Sequence, residues 1–306
     1  MKKNLQFIIP NIVGIALIAI SINYFSTYGI AMFLIVPILI GILSASLLNK
    51  CAPNEYSTKK ALLVMTINLT ITTLSLILFA LEGLICVIMA FPILFIFGAL
   101  GVLLTHVYIK RINNNTLPIV VLFIISFFGF SFSDKNNEPT VSEVKTSITI
   151  NAPIERVWKN VIQFPQLEEP TELIFKSGIA YPINATIKGN GIGAIRKCNF
   201  TTGSFIEPIT TWNSPTHLAF DVLEQPAPMK EISYWDFDAP HLHDYFVSKK
   251  GEFRLIKKDQ NTTELIGTTW YTHKIYPEFY WRIWSNTIVH QIHNRVLNHI
   301  KKVSEN

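Results

Sequence analysis

Three long stretches with almost no charge constrain the fold of this chain more than any other feature. Residues 4–49 and 112–133 carry no Asp, Glu, Lys or Arg, and residues 61–109 carry only Glu82. A helix that crosses a bilayer needs about 20 apolar residues, so the two longer stretches hold two crossings each and the shortest holds one. We therefore expect an all-α transmembrane bundle of about five helices in residues 1–133, with spans at 7–25, 29–48, 61–81, 83–108 and 117–132.

The cations of this part lie in alternate loops, and this predicts its orientation. The seven are Lys2, Lys3, Lys50, Lys59, Lys60, Lys110 and Arg111. Loops rich in Lys and Arg stay in the cytoplasm, so the N-terminus is expected there. Five spans then place residues 134–306 outside the cytoplasm. If the short segment 117–132 only lies at the membrane interface, those residues remain inside instead.

The net charge of +5 does not indicate a nucleic-acid partner. Residues 1–133 contain seven Lys or Arg and two acidic residues, whereas residues 134–306 contain nineteen of each. The excess therefore belongs to the loops between apolar segments, and the soluble part is neutral. We expect a membrane environment and no nucleic-acid binding.

The cysteines predict neither a disulfide within the soluble part nor a metal site. Only Cys198 lies there, while Cys51 and Cys86 lie in the membrane part, and no Cys-x-x-Cys pair occurs. The pair His241 and His243 would need further ligands to hold a metal ion. No metal and no cofactor are therefore expected.

The soluble part, residues 143–304 after a linker at 134–142, has an α+β pattern. Apolar residues alternate along 144–150, as in a half-buried strand, and a helix is predicted from Pro153. Strands are then predicted at 174–179, 194–201, 205–212, 218–223, 251–256 and 264–275. A last helix, 278–303, has a predicted core stripe of Trp281, Trp284, Ile288, Ile292, Val296, Ile300 and Val303. We expect a curved antiparallel sheet around the long C-terminal helix.

Two motifs of this part resemble the SRPBCC superfamily. The segment Ile148–Trp158 (ITINAPIERVW) is similar to its opening, a strand followed by Ala-Pro and a helix with Trp, and the turn Gly189–Gly193 leading to Arg196 is similar to its third-strand entry. The resemblance covers about residues 143–303. It implies a START-like or polyketide cyclase/dehydrase-like helix-grip domain, in which the sheet and the helix leave a cavity for an apolar ligand.

The spans and the resemblance together lead us to expect a membrane-anchored domain that binds a hydrophobic small molecule or lipid. Two alternatives stay open: an enzyme such as a cyclase, dehydrase or hydrolase acting on a hydrophobic substrate, and a scaffold or signalling component whose soluble domain binds a protein. The chain departs from the family pattern in its spans and in a long aromatic insertion, residues 224–248. A fold by itself does not decide between these functions.

Candidate site residues lie on the predicted strands and in the insertion. The candidates for ligand binding are Arg196, Trp212, Trp235, Phe237, Tyr245, Trp270 and Tyr271. Strand alternation allows only one of Trp270 and Tyr271 to point inward. Weak candidates for acid–base catalysis are Asp238, His241 and His243, because their side chains are titratable and lie close in sequence to the aromatic residues.

Overall fold

The computed structural model describes residues 4–112, 114–230, 232 and 242–306. The chain forms two compact units. One contains residues 1–138, 231–240 and 274–280, and the other contains residues 139–230, 241–273 and 281–306. Each unit is described by itself below.

The first unit is a helical bundle. Its α-helices are α1 (Leu5–Ile20), α2 (Val36–Cys51), α3 (Thr58–Leu78), α4 (Leu84–Arg111) and α5 (Leu117–Lys135). π-Helical turns at Ser21–Phe25 and Ala31–Ile35 extend α1 and α2 towards each other, and a short 3₁₀ helix, Pro53–Glu55, follows α2. Within the described residues, five helices, the first two with their π-helical turns, are long and apolar enough to cross a membrane, which agrees with the predicted number.

Glycines bring α2 and α4 into close contact. A Cβ atom on Gly41 would lie 2.1 Å from the carbonyl oxygen of Gly98, and one on Gly101 would lie 2.1 Å from the carbonyl oxygen of Ile38. The backbones of α2 and α4 are therefore so close that only glycine, which has no Cβ atom, fits at positions 41 and 101. Small residues at such crossings replace the hydrophobic driving force that a lipid environment lacks.

A buried polar network joins α1, α2 and α3. The Asn68 amide nitrogen donates to the Ser44 hydroxyl at 2.8 Å and to the carbonyl oxygen of Gln6 at 3.0 Å. Its oxygen accepts from the Asn11 amide at 2.9 Å, and Asn11 in turn accepts from the Thr72 hydroxyl at 2.9 Å. Because each partner lies on a defined turn of its helix, the network fixes the register of the three helices.

The end of α5 lies beside the start of the second span. The Asp134 carboxylate accepts a hydrogen bond from the backbone N–H of Ala31 at 3.1 Å, and Gly29 leaves the space that this carboxylate fills. In the same unit, the backbone N–H of Tyr276 donates to the carbonyl oxygen of Tyr28 at 2.8 Å. These contacts gather the loop between α1 and α2, the end of α5 and residues 274–280 at one end of the bundle.

The second unit contains a seven-stranded antiparallel sheet in the order β1-β7-β6-β5-β4-β3-β2. The strands are β1 (Val141–Ile150), β2 (Pro182–Lys188), β3 (Ile195–Phe200), β4 (Gly203–Asn213), β5 (His217–Asp221), β6 (Phe246–Lys257) and β7 (Thr263–His273). The unit also contains α6 (Ile154–Ile162), the single turn α7 (Leu173–Lys176) and most of the long α8 (Glu278–Glu305). The first three residues of α8 belong to the first unit.

Helix α8 packs on one face of this sheet. Val296, Leu297 and Ile300 belong to the same apolar core cluster as Ile150 of β1 and Leu265 of β7. The residues of the sheet on this face will be called the inner face. The arrangement is the expected α+β helix-grip fold, with an antiparallel sheet around a C-terminal helix.

One predicted strand was wrong. Residues 174–179 do not form a strand: a helical turn covers Leu173–Lys176, and a strand that was not predicted is Pro182–Lys188. Pro208 lies in β4, which pairs with both β3 and β5, and a register shift between Ile209 and Thr211 follows it. A proline here is tolerated because the bulge breaks the regular ladder beside it.

The predicted core stripe of α8 is confirmed in part. Trp281, Val296 and Ile300 are buried, whereas Trp284, Ile288 and Ile292 are only half-buried, and Val289 and Leu297, outside the predicted stripe, are buried as well. The helix carries apolar residues on more than one side, so spacing alone did not select the face that the sheet covers.

Candidate functional site

The inner face between the sheet and α8 contains apolar side chains that are not fully buried. In addition to its buried core, it carries half-buried residues that pack against that core: Ile148, Ile187, Phe200, Phe205, Trp212 and Phe253. A second, smaller cluster contains Val144, Tyr271 and Val289, with Phe246 half-buried against it. Protein cores normally exclude solvent from such side chains. These aromatic and branched side chains are therefore partly accessible on the face of the sheet that α8 covers.

Arg196 lies within this inner face and is paired with a carboxylate of the chain itself. Strand register places Arg196 of β3 directly opposite Glu207 of β4, and their side chains form a buried ion pair. The guanidinium also lies over the rings of Phe164, Phe220 and Phe253, at 5.6, 5.3 and 5.7 Å from their centroids. The cation is therefore neutralised by Glu207 and further stabilised by three aromatic faces.

Burial acts on each titratable group of this pair, and it raises the pKa of Glu207 although Arg196 acts in the opposite direction. Burial by itself would lower the pKa of Arg196, but the Glu207 carboxylate holds it above its usual range, so the guanidinium stays charged. Burial raises the pKa of the Cys198 thiol to about 12. Cys198 is therefore an uncharged, unreactive thiol at neutral pH.

A chain of four polar side chains crosses the interior between the two apolar clusters. The Thr146 hydroxyl of β1 lies 2.8 Å from His290 Nδ1 and 3.0 Å from His293 Nδ1, both on α8. His293 Nε2 lies 2.8 Å from the Thr269 hydroxyl of β7. These four residues will be called the His–Thr chain. It places hydrogen-bonding groups in the middle of an otherwise apolar interior, where an unsatisfied polar group would be costly.

The second imidazole of this chain is uncharged at neutral pH. Burial lowers the pKa of His293 to about 4, and the neighbouring His290 acts in the same direction. A neutral imidazole has one N–H donor and one acceptor nitrogen. His293 therefore donates to one threonine hydroxyl and accepts from the other.

Tyr271 lies on the inner face, as only one of the two neighbouring aromatic residues can. Its hydroxyl donates to Asn286 of α8 at 2.6 Å, and its ring stacks on Phe246 with a centroid distance of 4.9 Å. Trp270 lies on the opposite face, where its indole N–H donates to Glu143 at 3.0 Å and the Lys250 ammonium lies 4.5 Å from its ring centroid. Tyr271 is fully buried in the interior, whereas Trp270 faces away from it.

Trp212 belongs to the inner face as well. It packs at right angles to the buried Trp158 of α6, with ring centroids 5.8 Å apart. Trp212, Arg196 and Tyr271 are thus brought to one face of the sheet, although in different parts of it. Ligand binding by any of the three stays a prediction, and Arg196 would have to exchange Glu207 for a ligand group in order to bind an anion.

Most candidates of the insertion lie outside the described residues: Trp235, Phe237, Asp238 and His241. Of the remaining two, His243 is exposed and Tyr245 is half-buried just before β6. Among the residues that the structure describes, no three of His, Cys, Asp and Glu are grouped as a metal site requires.

The sequence did not identify Glu207, Thr146, Thr269, His290 or His293 as site residues. His290 and His293 do not belong to the predicted core stripe of α8, yet both contact Thr146 of β1. Strand alternation could have identified Thr146, since it shares a face with Ile148 and Ile150. The remaining contacts depend on strand register and on the rotation of α8, which spacing did not reveal.

The glycine-rich segment is a turn between strands. Gly189, Gly191 and Gly193 have φ values of 96°, 82° and 85°, and they connect β2 to β3. A side chain at such φ values would be strained, which explains why glycine occurs three times. The turn opens no helix and is therefore not a phosphate-binding loop.

Comparisons with known proteins give similarity of fold only. No family model and no curated protein sequence matches this chain. Among solved structures, the Zhui aromatase/cyclase from Streptomyces sp. R1128 is 14% identical, with 54% of this chain and 94% of that chain covered and a TM-score of 0.37. Norcoclaurine synthase from Thalictrum flavum is 10% identical, with 55% and 97% covered and a TM-score of 0.35. A protein from Bacillus thuringiensis is 14% identical, with 54% and 100% covered and a TM-score of 0.36.

Proposed function

We propose that the protein binds a hydrophobic small molecule or lipid between the sheet and α8 of its helix-grip domain, and that its five apolar helices anchor this domain in a membrane. The observation that carries the proposal is the half-burial of apolar side chains on the inner face. Apolar surface that stays accessible inside a fold is favourable only when something covers it. A hydrophobic ligand is the simplest such cover.

Two partly accessible inner residues, Phe253 and Thr146, lie on the side of the sheet that ends at β1. Phe253 of β6 lies opposite Gly267 of β7, and Thr146 of β1 lies opposite the same glycine from the other side. A Cβ atom on Gly267 would only reach ordinary contact with Phe253 and Leu297, at 3.6 and 3.7 Å. The absence of a side chain at Gly267 therefore leaves room for only about one methyl group between the sheet and α8 at this level.

The placement of α5 supports an extracytoplasmic domain. Asp134, at the end of α5, caps the start of the second span through the backbone N–H of Ala31. The second span starts at the end opposite the basic loops, so α5 ends at that same side. Together with the positive-inside rule, this contact favours five crossings, a cytoplasmic N-terminus and a helix-grip domain outside the cytoplasm.

Of the three candidates for catalysis, the structure describes only His243, which is exposed, and Asp238 and His241 lie outside the described residues. The enzymatic alternative therefore stays open. A membrane anchor suits ligand binding, because a lipid ligand then crosses little water.

Native mass spectrometry of the full-length protein, released from mild detergent, tests the proposal. We expect an additional mass that survives gentle activation and is lost on denaturation. Gly267→Leu fills the space beside Phe253 and should abolish this mass, whereas Thr149→Leu, a substitution on the exposed face of β1, should leave it unchanged. Retention of the same mass by Gly267→Leu would show that the ligand lies elsewhere.

A further inference from the structure

The His–Thr chain is a continuous line of hydrogen-bonding groups that can run in two directions. When His290 Nδ1–H donates to Thr146, the Thr146 hydroxyl donates to His293 Nδ1 and His293 Nε2–H donates to Thr269. When the order is reversed, Thr269 donates to His293 and Thr146 donates to His290. Both directions satisfy the three contacts of 2.8, 3.0 and 2.8 Å. Both follow from the single hydroxyl proton of threonine and the two tautomers of a neutral imidazole.

In either direction, one end of the His–Thr chain can donate a hydrogen bond and the other end can accept one. In the first, the Thr269 hydroxyl hydrogen is available to donate and His290 Nε2 is an acceptor. In the second, a Thr269 lone pair is available to accept and His290 Nε2 carries the donor. A ligand hydroxyl group can donate or accept, and a ligand carbonyl group can accept. Each of them can therefore form a hydrogen bond with one end of the chain without any change of charge.

Three groups of the inner face offer no free charge to an ionised ligand group. Arg196 is neutralised by Glu207, the Cys198 thiol is uncharged, and His293 is neutral because burial lowers its pKa to about 4. None of these groups is left to compensate a buried carboxylate, phosphate or ammonium. Burial of an unpaired charge costs far more than burial of a hydrogen-bonded neutral group.

We infer that the His–Thr chain binds the polar end of the ligand, and that this end is an uncharged hydroxyl or carbonyl group attached to a hydrophobic body. The inference rests on the proposed function and adds the chemical class of the ligand. The apolar clusters on either side of the chain hold the hydrophobic body, and the chain fixes its orientation. Long-chain alcohols, isoprenoid alcohols and neutral ketones belong to this class, whereas fatty acids and cationic amphiphiles do not.

Photo-crosslinking of the full-length protein in lipid nanodiscs tests the inference. Three probes share a hexadecyl chain with a mid-chain diazirine and differ only in their head group: a hydroxyl, a sulfate ester or a trimethylammonium group. Labelled peptides are mapped by mass spectrometry, and the half-saturating concentration is measured for peptides of β1, β7 and α8. We expect the alcohol to label them at a concentration at least about 10-fold lower than either charged probe, since one such factor corresponds to 1.4 kcal/mol.

Thr269→Val removes one end of the chain while keeping the shape and strand preference of the side chain. We expect it to raise the half-saturating concentration of the alcohol about 5-fold, the usual effect of one neutral hydrogen bond. Thr269→Ser should restore binding, and Thr149→Val, on the exposed face of β1, should not change it. Because Thr269→Ser keeps the hydroxyl, the test does not depend on how well the valine variant folds.

Each other outcome has a definite meaning. If all three probes label the interior equally, the head-group inference fails and the proposed function stands. If the alcohol is preferred but Thr269→Val has no effect, the His–Thr chain is not the polar subsite and the inference also fails. If no probe labels peptides of the interior, both the inference and the proposed function fail.

Discussion

Removal of one partner of the buried Arg196–Glu207 pair should destabilise the helix-grip domain strongly, while removal of both should not. Both side chains are almost inaccessible, at 2% and 7% exposure. Loss of one partner of a buried pair typically costs about 3–5 kcal/mol, because the other charge stays buried without compensation. For a domain of this size, that cost lowers Tm by roughly 6–20 °C.

The double variant Arg196→Met/Glu207→Leu replaces the pair with apolar side chains of similar volume. Its environment is favourable for them, because Phe164, Phe220 and Phe253 surround the guanidinium. Such replacements are often neutral or stabilising. We therefore expect the double variant to melt within about 5 °C of the wild type, well above Glu207→Leu alone.

Intrinsic tryptophan fluorescence measures this unfolding in the intact protein. All six tryptophans lie between residues 158 and 284, so the signal reports on the soluble part and not on the apolar helices. Arg196→Met, Glu207→Leu, the double variant and the wild type complete a double-mutant cycle. Additive losses in the double variant would refute the reasoning, because they would mean that the two charges do not compensate each other.

Three further predictions concern the titration of His293, the helix contact at Gly101 and the orientation of the chain in the membrane. The pKa of His293 is about 4 in the folded state and 6.5 in the unfolded state, so the unfolded chain binds more protons between these values. The contribution of His293 to the free energy of unfolding is therefore complete above pH 6.5. Up to about 3 kcal/mol of it is lost as pH falls towards 4. His293→Gln should flatten this part of a plot of Tm against pH, and an unchanged slope would contradict it. Gly101→Ala should reduce the fraction of monodisperse protein after heating in detergent, because its Cβ would lie 2.1 Å from a carbonyl oxygen of α2, whereas Gly129→Ala, with nothing within 4 Å, should not. In a variant without native cysteines, Asp259→Cys should react with a membrane-impermeant maleimide in intact cells and Lys59→Cys only after permeabilisation; the reverse pattern would overturn the proposed orientation.

The sequence by itself determined the class of both parts of the chain. Uncharged stretches of fixed length predicted five apolar helices, since the thickness of a bilayer sets the length of a span. Alternation in β1, the helix start after Pro153 and the long final helix predicted the α+β fold, because these are local patterns with a period set by backbone geometry. Opposite orientations of Trp270 and Tyr271 followed from the same alternation.

Only the tertiary structure decided which polar residues meet. Arg196 and Glu207 are paired because β3 and β4 have one particular register, and a shift by one residue would turn every side chain of a strand to the other face. His290 and His293 reach Thr146 because α8 rotates its histidines towards the sheet, although spacing favoured another stripe. Strand register and helix rotation are set by contacts between residues far apart in the chain, and no local pattern in the sequence contains them.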